Sequence, residues 1–227
     1  MKTPVVDYRS FRLKKLNAPE FRHLKLLFGW LVYFAFYFLT ENLIPQERCT
    51  PVYSILDDWI PFCEFFVLPY VGWYLLIVVS LLYFALYNVE NFKRLQIFIM
   101  ITQALAMVAY ILFPTRQDLR PTEFLRENVL VDLVRLLYVA DTNTGVCPSL
   151  HCAYSIGIAS VWFKEKSVGK GVKLFVLVFV ILVCLSTMFI KQHSAVDFFA
   201  AIPVCIVAEV VACGSYWRGW KKERKEK

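Results

Sequence analysis

Long uninterrupted apolar runs constrain this chain more than any other feature of its sequence. A helix needs about 20 mostly apolar residues to cross the hydrocarbon core of a bilayer. Six runs approach or exceed that length, and the fourth is shorter and more polar than the others. They lie at roughly 24–44, 67–87, 95–113, 149–163, 172–190 and 193–214. These runs predict an all-α, polytopic membrane protein with six transmembrane helices.

The composition favours the same class of protein. Apolar residues make up 59% of the chain and aromatic residues 17%, whereas apolar residues are about half of an ordinary soluble domain. The net charge of +7 is compatible in size with nucleic-acid binding. However, the positive residues flank the apolar runs and do not interleave with exposed aromatic residues. We therefore expect a membrane bilayer as partner and no nucleic acid.

The distribution of the positive residues predicts the topology. Four segments hold 19 of the 25 Lys and Arg residues, namely 1–25, 88–94, 164–173 and 218–227. The other six Lys and Arg residues, and most of the carboxylates outside the apolar runs, lie in the remaining segments that connect the runs. By the positive-inside rule the basic segments face the cytoplasm, and an even number of spans agrees with this. We predict an integral plasma-membrane protein, taken to be of a bacterial inner membrane, with both termini cytoplasmic.

Three regions follow from this topology. Residues 1–23 form a basic cytoplasmic or interfacial tail, residues 24–214 the six-helix membrane domain, and residues 215–227 a basic cytoplasmic tail. The first apolar run is long enough to span and has no small-residue cleavage site after it. It is therefore predicted as a retained span rather than a signal peptide.

Two segments on the predicted outer side have mixed character. Residues 51–70 combine prolines, aromatic residues and carboxylates, which favours a short interfacial or re-entrant element or, equally, an aromatic belt. Further along, Thr122 and Glu123 offer a helix start. Apolar residues then recur at helical spacing, which predicts an amphipathic helix on the outer surface; they are Leu125, Val129, Leu133, Leu136 and Leu137.

The segment FIKQHSAVDFF, residues 189–199, places three ionisable groups beside apolar spans. A charge at the bilayer centre costs about 2.5–3.5 kcal/mol, so such groups indicate function by default. His193 and Asp197 are four residues apart and share a helical face, so the carboxylate can orient the imidazole as a nucleophile or base. Lys191 alone is also compatible with a snorkelling anchor.

A second histidine, His151, lies in CPSLHCAYS on the same predicted side. Pro148 and Ser149 are typical of a helix start, and the amino terminus of a helix attracts anions. Arg120, also on the outer side, can clamp the same anion through two hydrogen bonds. Together these groups favour phosphoryl transfer. A metal site is disfavoured, because only two histidines converge and the one carboxylate is committed to His193.

These residues resemble the motifs of the type 2 phosphatidic acid phosphatase superfamily, a group of membrane enzymes. Residues 148–151 match the second motif, proline, serine, any residue, histidine. Ser186, His193 and Asp197 match the spacing of the third motif, and Arg120 with Pro121 matches the end of the first. The resemblance covers roughly residues 54–205 and implies six helices with a site on the outer face.

The chain departs from this pattern at two positions. Phe113 stands where the first motif has lysine, and Thr187 stands where the third motif has arginine. Arg116 is the nearest cation to the first position, and Lys191 lies one helical turn beyond the second. The pattern IPFCEFFVLPY, with KQH in place of the arginine, is more similar to the branch containing inositol phosphorylceramide synthases.

The resemblance implies a two-step reaction without metal or organic cofactor. His193 attacks phosphorus, Asp197 stabilises the charged imidazole, and His151 protonates the leaving oxygen. Water or a lipid hydroxyl then removes the phosphoryl group. The phosphate oxygens are neutralised by a further set of groups, namely Arg120, the Ser149 backbone amide, and Arg116 or Lys191.

Three functions remain open from the sequence. The first is a lipid phosphate phosphatase that hydrolyses a phosphomonoester or diphosphate of a lipid. The second is a lipid phosphotransferase, similar to inositol phosphorylceramide or sphingomyelin synthases, that moves a phospho-headgroup to a lipid alcohol. The third is a non-catalytic scaffold or transporter, which the scarcity of ionisable residues in the second, third and fifth spans disfavours. Glu209, in the last span, is expected to make a stabilising polar contact.

Overall fold

The computed structural model describes residues 3–225, which are mostly helical. This described part contains eight α-helices: α1 (Phe28–Leu43), α2 (Leu56–Trp59), α3 (Val67–Tyr87), α4 (Val89–Leu112), α5 (Val129–Ala140), α6 (Leu150–Lys164), α7 (Lys170–Phe189) and α8 (Ala195–Lys225). Two short strands, β1 (Thr50–Pro51) and β2 (Thr115–Arg116), pair in parallel. Short 3-10 helices complete the chain at Tyr8–Ser10, Leu13–Lys15, Arg22–Leu27, Gln46–Arg48 and Glu64–Phe66.

Five helical segments of the described part are long and apolar enough to cross a membrane. They are Arg22–Leu43, Glu64–Tyr87, Val89–Leu112, Lys170–Phe189 and Ala195–Gly219. Large apolar side chains on their outer faces are exposed, as expected where lipid rather than water is the solvent. The prediction of a mostly helical membrane protein is confirmed at this level.

The fourth predicted span, residues 149–163, has a different character. It corresponds to α6, whose 15 residues cover about 22 Å, less than the hydrocarbon thickness of about 30 Å. The helix lies in the centre of the bundle and packs against α3, α4, α7 and α8. Ten of its residues are buried. Protein rather than lipid surrounds this helix, which explains why its sequence is shorter and more polar than that of its neighbours.

Two local predictions need correction. The helix expected to start at Thr122 starts at Val129, because the side chain of Asn128 accepts hydrogen bonds from the backbone N–H groups of its first turn. The buried residues of that helix are Val131 and Val134, which differ from the predicted apolar face. Residues 88–94, expected as a connection between the second and third predicted spans, are also mostly helical, since α4 begins directly after Asn88.

Small and polar residues let the central helices approach one another. At Gly157 of α6, an added Cβ would lie 2.4 Å from Cδ1 of Phe98 on α4. Further along α6, the ammonium group of Lys164 forms an ion pair of 2.6 Å with Glu209 of α8, and Ser160 donates a hydrogen bond to the same carboxylate. The stabilising contact expected for Glu209 is therefore present.

The predicted tails are partly described. Near the amino terminus, Tyr8 donates to the carbonyl of Ala85 and shares a 2.7 Å hydrogen bond with His23 Nε2, so this segment is fastened to the end of α3. At the other end α8 continues to Lys225. Residues 1, 2, 226 and 227, which belong to the predicted tails, lie outside the described residues.

The contact at Gly157 predicts a steric effect on stability. Gly157→Val should lower the free energy of unfolding by about 1–3 kcal/mol, because the side chain overlaps Phe98 in a packed core. Thermal unfolding of the detergent-solubilised protein, followed by loss of monodisperse protein, measures the change. The matched control is Gly171→Val in α7, where an added Cβ meets open space. Equal melting of both variants would contradict the proposed packing constraint.

Candidate active site

The turn between α7 and α8 carries the histidine of the KQH segment. Lys191 adopts a φ of 54°, the left-handed conformation that commonly ends a helix. The backbone N–H groups of Gln192 and His193 both donate to the carbonyl of Thr187, each at 2.9 Å. This reversal holds His193 inside the protein, with 8% of its surface exposed.

His193 and Asp197 form the predicted pair. Nδ1 of His193 lies 3.0 Å from Oδ2 of Asp197, and the carboxylate is fully buried. The same oxygen accepts a hydrogen bond from the backbone N–H of Ser194 at 3.0 Å. With Nδ1 directed to the carboxylate, Nε2 is the imidazole nitrogen available to a reaction partner.

His151 lies close to this pair. Its ring centroid is 5.6 Å from that of His193, and its ring packs against Trp73 at 4.1 Å and Tyr70 at 4.5 Å. Among the described residues, no hydrogen-bond partner reaches its buried Nε2 atom. The third histidine, His23, pairs with Tyr8 at the opposite side of the bundle. The fold therefore brings two histidines from separate helices together.

Both rings line a cavity of about 530 Å³, a volume within the usual range for small-ligand sites. Aromatic side chains from several helices form most of its wall, including Trp30, Tyr33, Tyr37, Trp73, Tyr110 and Tyr154. Further polar side chains line it, namely Asp141, Thr142, Thr144 and Gln192. The two imidazoles therefore line a cavity whose wall is largely aromatic and apolar.

Arg120 lies behind one wall of this cavity and does not line it. Its Nη1 atom donates to the carbonyl of Tyr138, and Nη2 donates to the carbonyls of Asp141 and Thr142 and to Oε1 of Gln192 at 2.5 Å. Burial lowers the pKa of this guanidinium, and the charge of Asp141 partly offsets that effect. Arg120 thus clamps the carboxyl end of α5, where a cation is favoured.

The other predicted phosphate ligands also have protein partners. Lys191 donates to the carbonyls of Asp57 and Ile60, and Arg116 donates to Asp118 and to the carbonyl of Gln46. The Ser149 N–H donates to the carbonyl of Asp197 at 3.0 Å, while its hydroxyl caps α6. The structure thus brings three of the predicted site residues together, namely His193, Asp197 and His151. The other four make contacts that hold loops and helix ends; they are Arg120, Arg116, Lys191 and Ser149.

Sequence reasoning missed Asp57, a buried carboxylate of α2. Its oxygens accept hydrogen bonds from the backbone N–H of Ala195 at 2.8 Å, the hydroxyl of Ser194 at 2.6 Å and the N–H of Ser54 at 2.8 Å. Asp57 therefore fastens the start of α8 directly beside His193. The available signal was a pair of adjacent carboxylates, Asp57 and Asp58, in a segment rich in aromatic and apolar residues.

Two opposing effects act on the pKa of His193. Burial lowers the pKa of His193, but the hydrogen bond to Asp197 and the negative charge of Asp197 outweigh burial, so the pKa is raised overall. The folded protein therefore favours the protonated imidazole. A raised folded-state pKa stabilises the fold below the unfolded-state pKa, and this contribution is lost as the pH rises through the folded value.

No protein-family model matches this chain, and no curated protein or solved structure matches it. The function must therefore be inferred from the site itself. Its defining features are two neighbouring imidazoles, a buried carboxylate that orients one of them, and an aromatic cavity that both rings line.

Removal of the Asp57 carboxylate should destabilise the start of α8. Asp57→Ala leaves a buried backbone N–H and a hydroxyl without their acceptor, which costs about 1–3 kcal/mol for each group. We expect a clear fall in the thermal midpoint of the detergent-solubilised protein. Asp58→Ala, which removes the exposed neighbouring carboxylate, is the control and should leave the midpoint nearly unchanged. A larger effect at Asp58 than at Asp57 would refute this assignment.

Titration of His193 should show the influence of Asp197. In nuclear magnetic resonance spectra of histidine-labelled protein, the resonance lost in His193→Gln should titrate above the ordinary histidine pKa of about 6.5. Asp197→Asn should lower that midpoint by about 1 unit or more, because the opposite charge is removed. Asp132→Asn, on the exposed side of α5, should leave it unaltered. A midpoint below the ordinary value in the unmodified protein would contradict the proposed balance of effects.

Proposed function

We propose that this protein is an integral membrane enzyme that hydrolyses a phosphate ester of a lipid, a monoester or a diphosphate, through a phosphohistidine at His193. One observation carries the proposal: the ring of His193, which a buried carboxylate orients, has its centroid 5.6 Å from that of His151, and both rings line the same cavity. At this distance a single phosphate group can contact both rings.

The two histidines have complementary roles in this reaction. The lone pair on Nε2 of His193 attacks phosphorus, a P–N bond forms, and the P–O bond to the lipid alcohol breaks. His151 transfers a proton to the departing oxygen, a contribution of about 100- to 10,000-fold. Asp197 accepts the Nδ1–H hydrogen bond and stabilises the positive ring. Water then attacks phosphorus, breaks the P–N bond and returns a proton to His151.

The phosphate oxygens need donors at the cavity wall. The first turn of α6 lines the cavity through Leu150 and His151, and the first N–H groups of a helix have no acceptor within it. We assign the phosphate oxygens to these backbone donors and give Arg120 and Lys191 the supporting role of holding the adjacent loops.

We further propose the finer membrane arrangement predicted from the sequence. It has six membrane helices, with α6 as the enclosed one, and α5 at the outer interface of a plasma membrane. The site then faces outward and both termini lie in the cytoplasm. This is supported by the charge distribution, since 19 of 25 Lys and Arg residues flank the opposite ends of the helices, where the positive-inside rule expects cytoplasm.

Transfer of a phospho-headgroup to a lipid alcohol is the second candidate. It is favoured by one observation: the residues that line the cavity in the described part include the carboxylate Asp141 and no Lys or Arg. A phosphomonoester with two negative charges gains little in such surroundings, whereas a diester carries only one. In this reaction a lipid hydroxyl takes the place of water at the phosphohistidine.

Phosphate release from a panel of lipid phosphates and phospholipids, in maltoside detergent, tests these proposals. His193→Ala should abolish turnover, and His151→Ala should lower it by about 100- to 10,000-fold. Turnover of the unmodified protein should be highest at an intermediate pH, because attack requires the neutral imidazole of His193 and protonation of the leaving oxygen requires the charged imidazole of His151. His23→Gln, remote from the site, is the control.

The same panel separates the alternatives. Phosphate released without any acceptor supports hydrolysis, and product that appears only with an added lipid alcohol supports transfer. Full turnover in His193→Ala would refute the phosphohistidine mechanism. Absence of turnover with every lipid, with and without acceptor, would leave the non-catalytic scaffold or transporter as the better assignment.

A further inference from the structure

The short helix α2 presents two different sides. The carboxylate of Asp57 is buried inside the protein, whereas the apolar side chains of Ile55, Leu56 and Trp59 are exposed, with 81% of the surface of Trp59 accessible. A helix of four residues is not stable by itself in water. Contacts outside α2 must therefore determine where this helix lies.

The buried side of α2 contacts the residues that follow His193. The Asp57 carboxylate accepts hydrogen bonds from the hydroxyl of Ser194 at 2.6 Å and from the backbone N–H of Ala195 at 2.8 Å. The backbone N–H of Ser194 donates to Asp197, the carboxylate that orients His193. Asp57 is thus bonded to the segment in which the imidazole and its carboxylate partner meet.

Lys191 makes the reciprocal contact from the other side of His193. Its ammonium group donates to the carbonyls of Asp57 at 2.9 Å and Ile60 at 2.5 Å. The last carbonyls of a helix have no partner within it, and a cation is favoured there. Within the described residues, every hydrogen bond that joins residues 56–60 to another helix or turn runs to residues 191–195. The turn that carries His193 is therefore the hydrogen-bonded attachment of α2.

The position of this turn places α2 at a membrane boundary. Residues 190–194 connect the last two helices that are long and apolar enough to span, so they lie where those spans end. The span Glu64–Tyr87 begins shortly after α2 and exposes Phe65 and Leu68 at its start. Tryptophan is enriched where headgroups meet acyl chains, and interfacial helices bury their apolar side in that layer. The exposed side of α2 has the composition that this layer favours.

We propose that the lipid headgroup layer anchors α2 and that α2 in turn positions the nucleophile. The exposed apolar side chains of α2 occupy the leaflet at the active-site end, and Asp57 and Lys191 are positioning residues that transmit this placement to His193. The inference rests on the proposed function only for its effect on turnover. Displacement of a reacting group by about 1 Å can lower a rate about 100-fold, so the bilayer supports activity through this connection.

Fluorescence in nanodiscs of phosphatidylcholine and phosphatidylglycerol tests the placement of α2. The emission of Trp59 is the difference between the unmodified protein and Trp59→Phe, and lipid brominated near the headgroup end of the acyl chain should quench it. The control is the emission lost in Trp162→Phe, because that indole is buried in the core and should be quenched less. An unquenched Trp59, or a dimer in native mass spectrometry that shields it, would overturn the proposed lipid contact.

The connection to His193 has its own measurement. In histidine-labelled protein in the same nanodiscs, the Nδ1–H resonance lost in His193→Gln reports the hydrogen bond to Asp197. Lys191→Met should shift or broaden this resonance and lower kcat on the order of 10- to 100-fold, whereas Lys191→Arg should restore both. Trp59→Ser should change the resonance in the same direction.

A matched control and three outcomes make the test decisive. Leu125→Ser, at a fully exposed residue of the same side, should leave the resonance unaltered, and a change equal to that of Trp59→Ser would overturn the role of the membrane. An unaltered resonance in Lys191→Met would overturn its positioning role, and accompanying loss of turnover would assign Lys191 to the phosphate instead. The expected resonance changes in a protein that turns over no lipid would uphold the connection and refute the proposed reaction.

Discussion

The arrangement of this protein depends on hydrogen-bond acceptors for the backbone N–H groups at the buried starts of two helices, α6 and α8. A buried donor without an acceptor costs about 1–3 kcal/mol, and both α6 and α8 begin inside the bundle rather than in solvent. The start of α8 is paired with the carboxylates of Asp197 and Asp57. Before α6, Ser149 donates to the carbonyl of Asp197 and caps the helix with its hydroxyl. Asp197 thereby links the two starts, and the positions of His193 and His151 follow from this link.

The length of the apolar runs and short-range spacing were sufficient to predict much of this structure. Run length identified the long helices because the hydrocarbon thickness fixes the number of residues required. The spacing of four residues predicted that His193 pairs with Asp197, but for a different geometry: His193 lies in the turn before α8, and Asp197 in the first turn of that helix reaches back to it. No spacing connects His151 to His193, so His151 was singled out by its place at a predicted helix start on the same side of the membrane and by the resemblance of its motif to a known one.

Other features depend on tertiary contacts that no local pattern records. Asp57 reaches Ser194 across 137 residues, and only the folded bundle brings them together. Arg120 and Lys191 donate to main-chain carbonyls, which every residue type provides, so their partners leave no trace in the sequence. Both Thr122 and Asn128 are suitable residues at a helix start. Packing of Val131 and Val134 against the core favours the later one.

The position of α1 affects how such a cavity can change during evolution. This helix buries none of its own residues and packs mainly against α4, yet Trp30, Tyr33 and Tyr37 form one side of the cavity wall. Substitutions at these positions alter the shape and chemistry of the wall. The same three side chains also pack against the central hydrophobic cluster, and Trp30 donates a hydrogen bond to Gln96 of α4. The wall of the cavity and the attachment of α1 to the bundle therefore cannot vary independently.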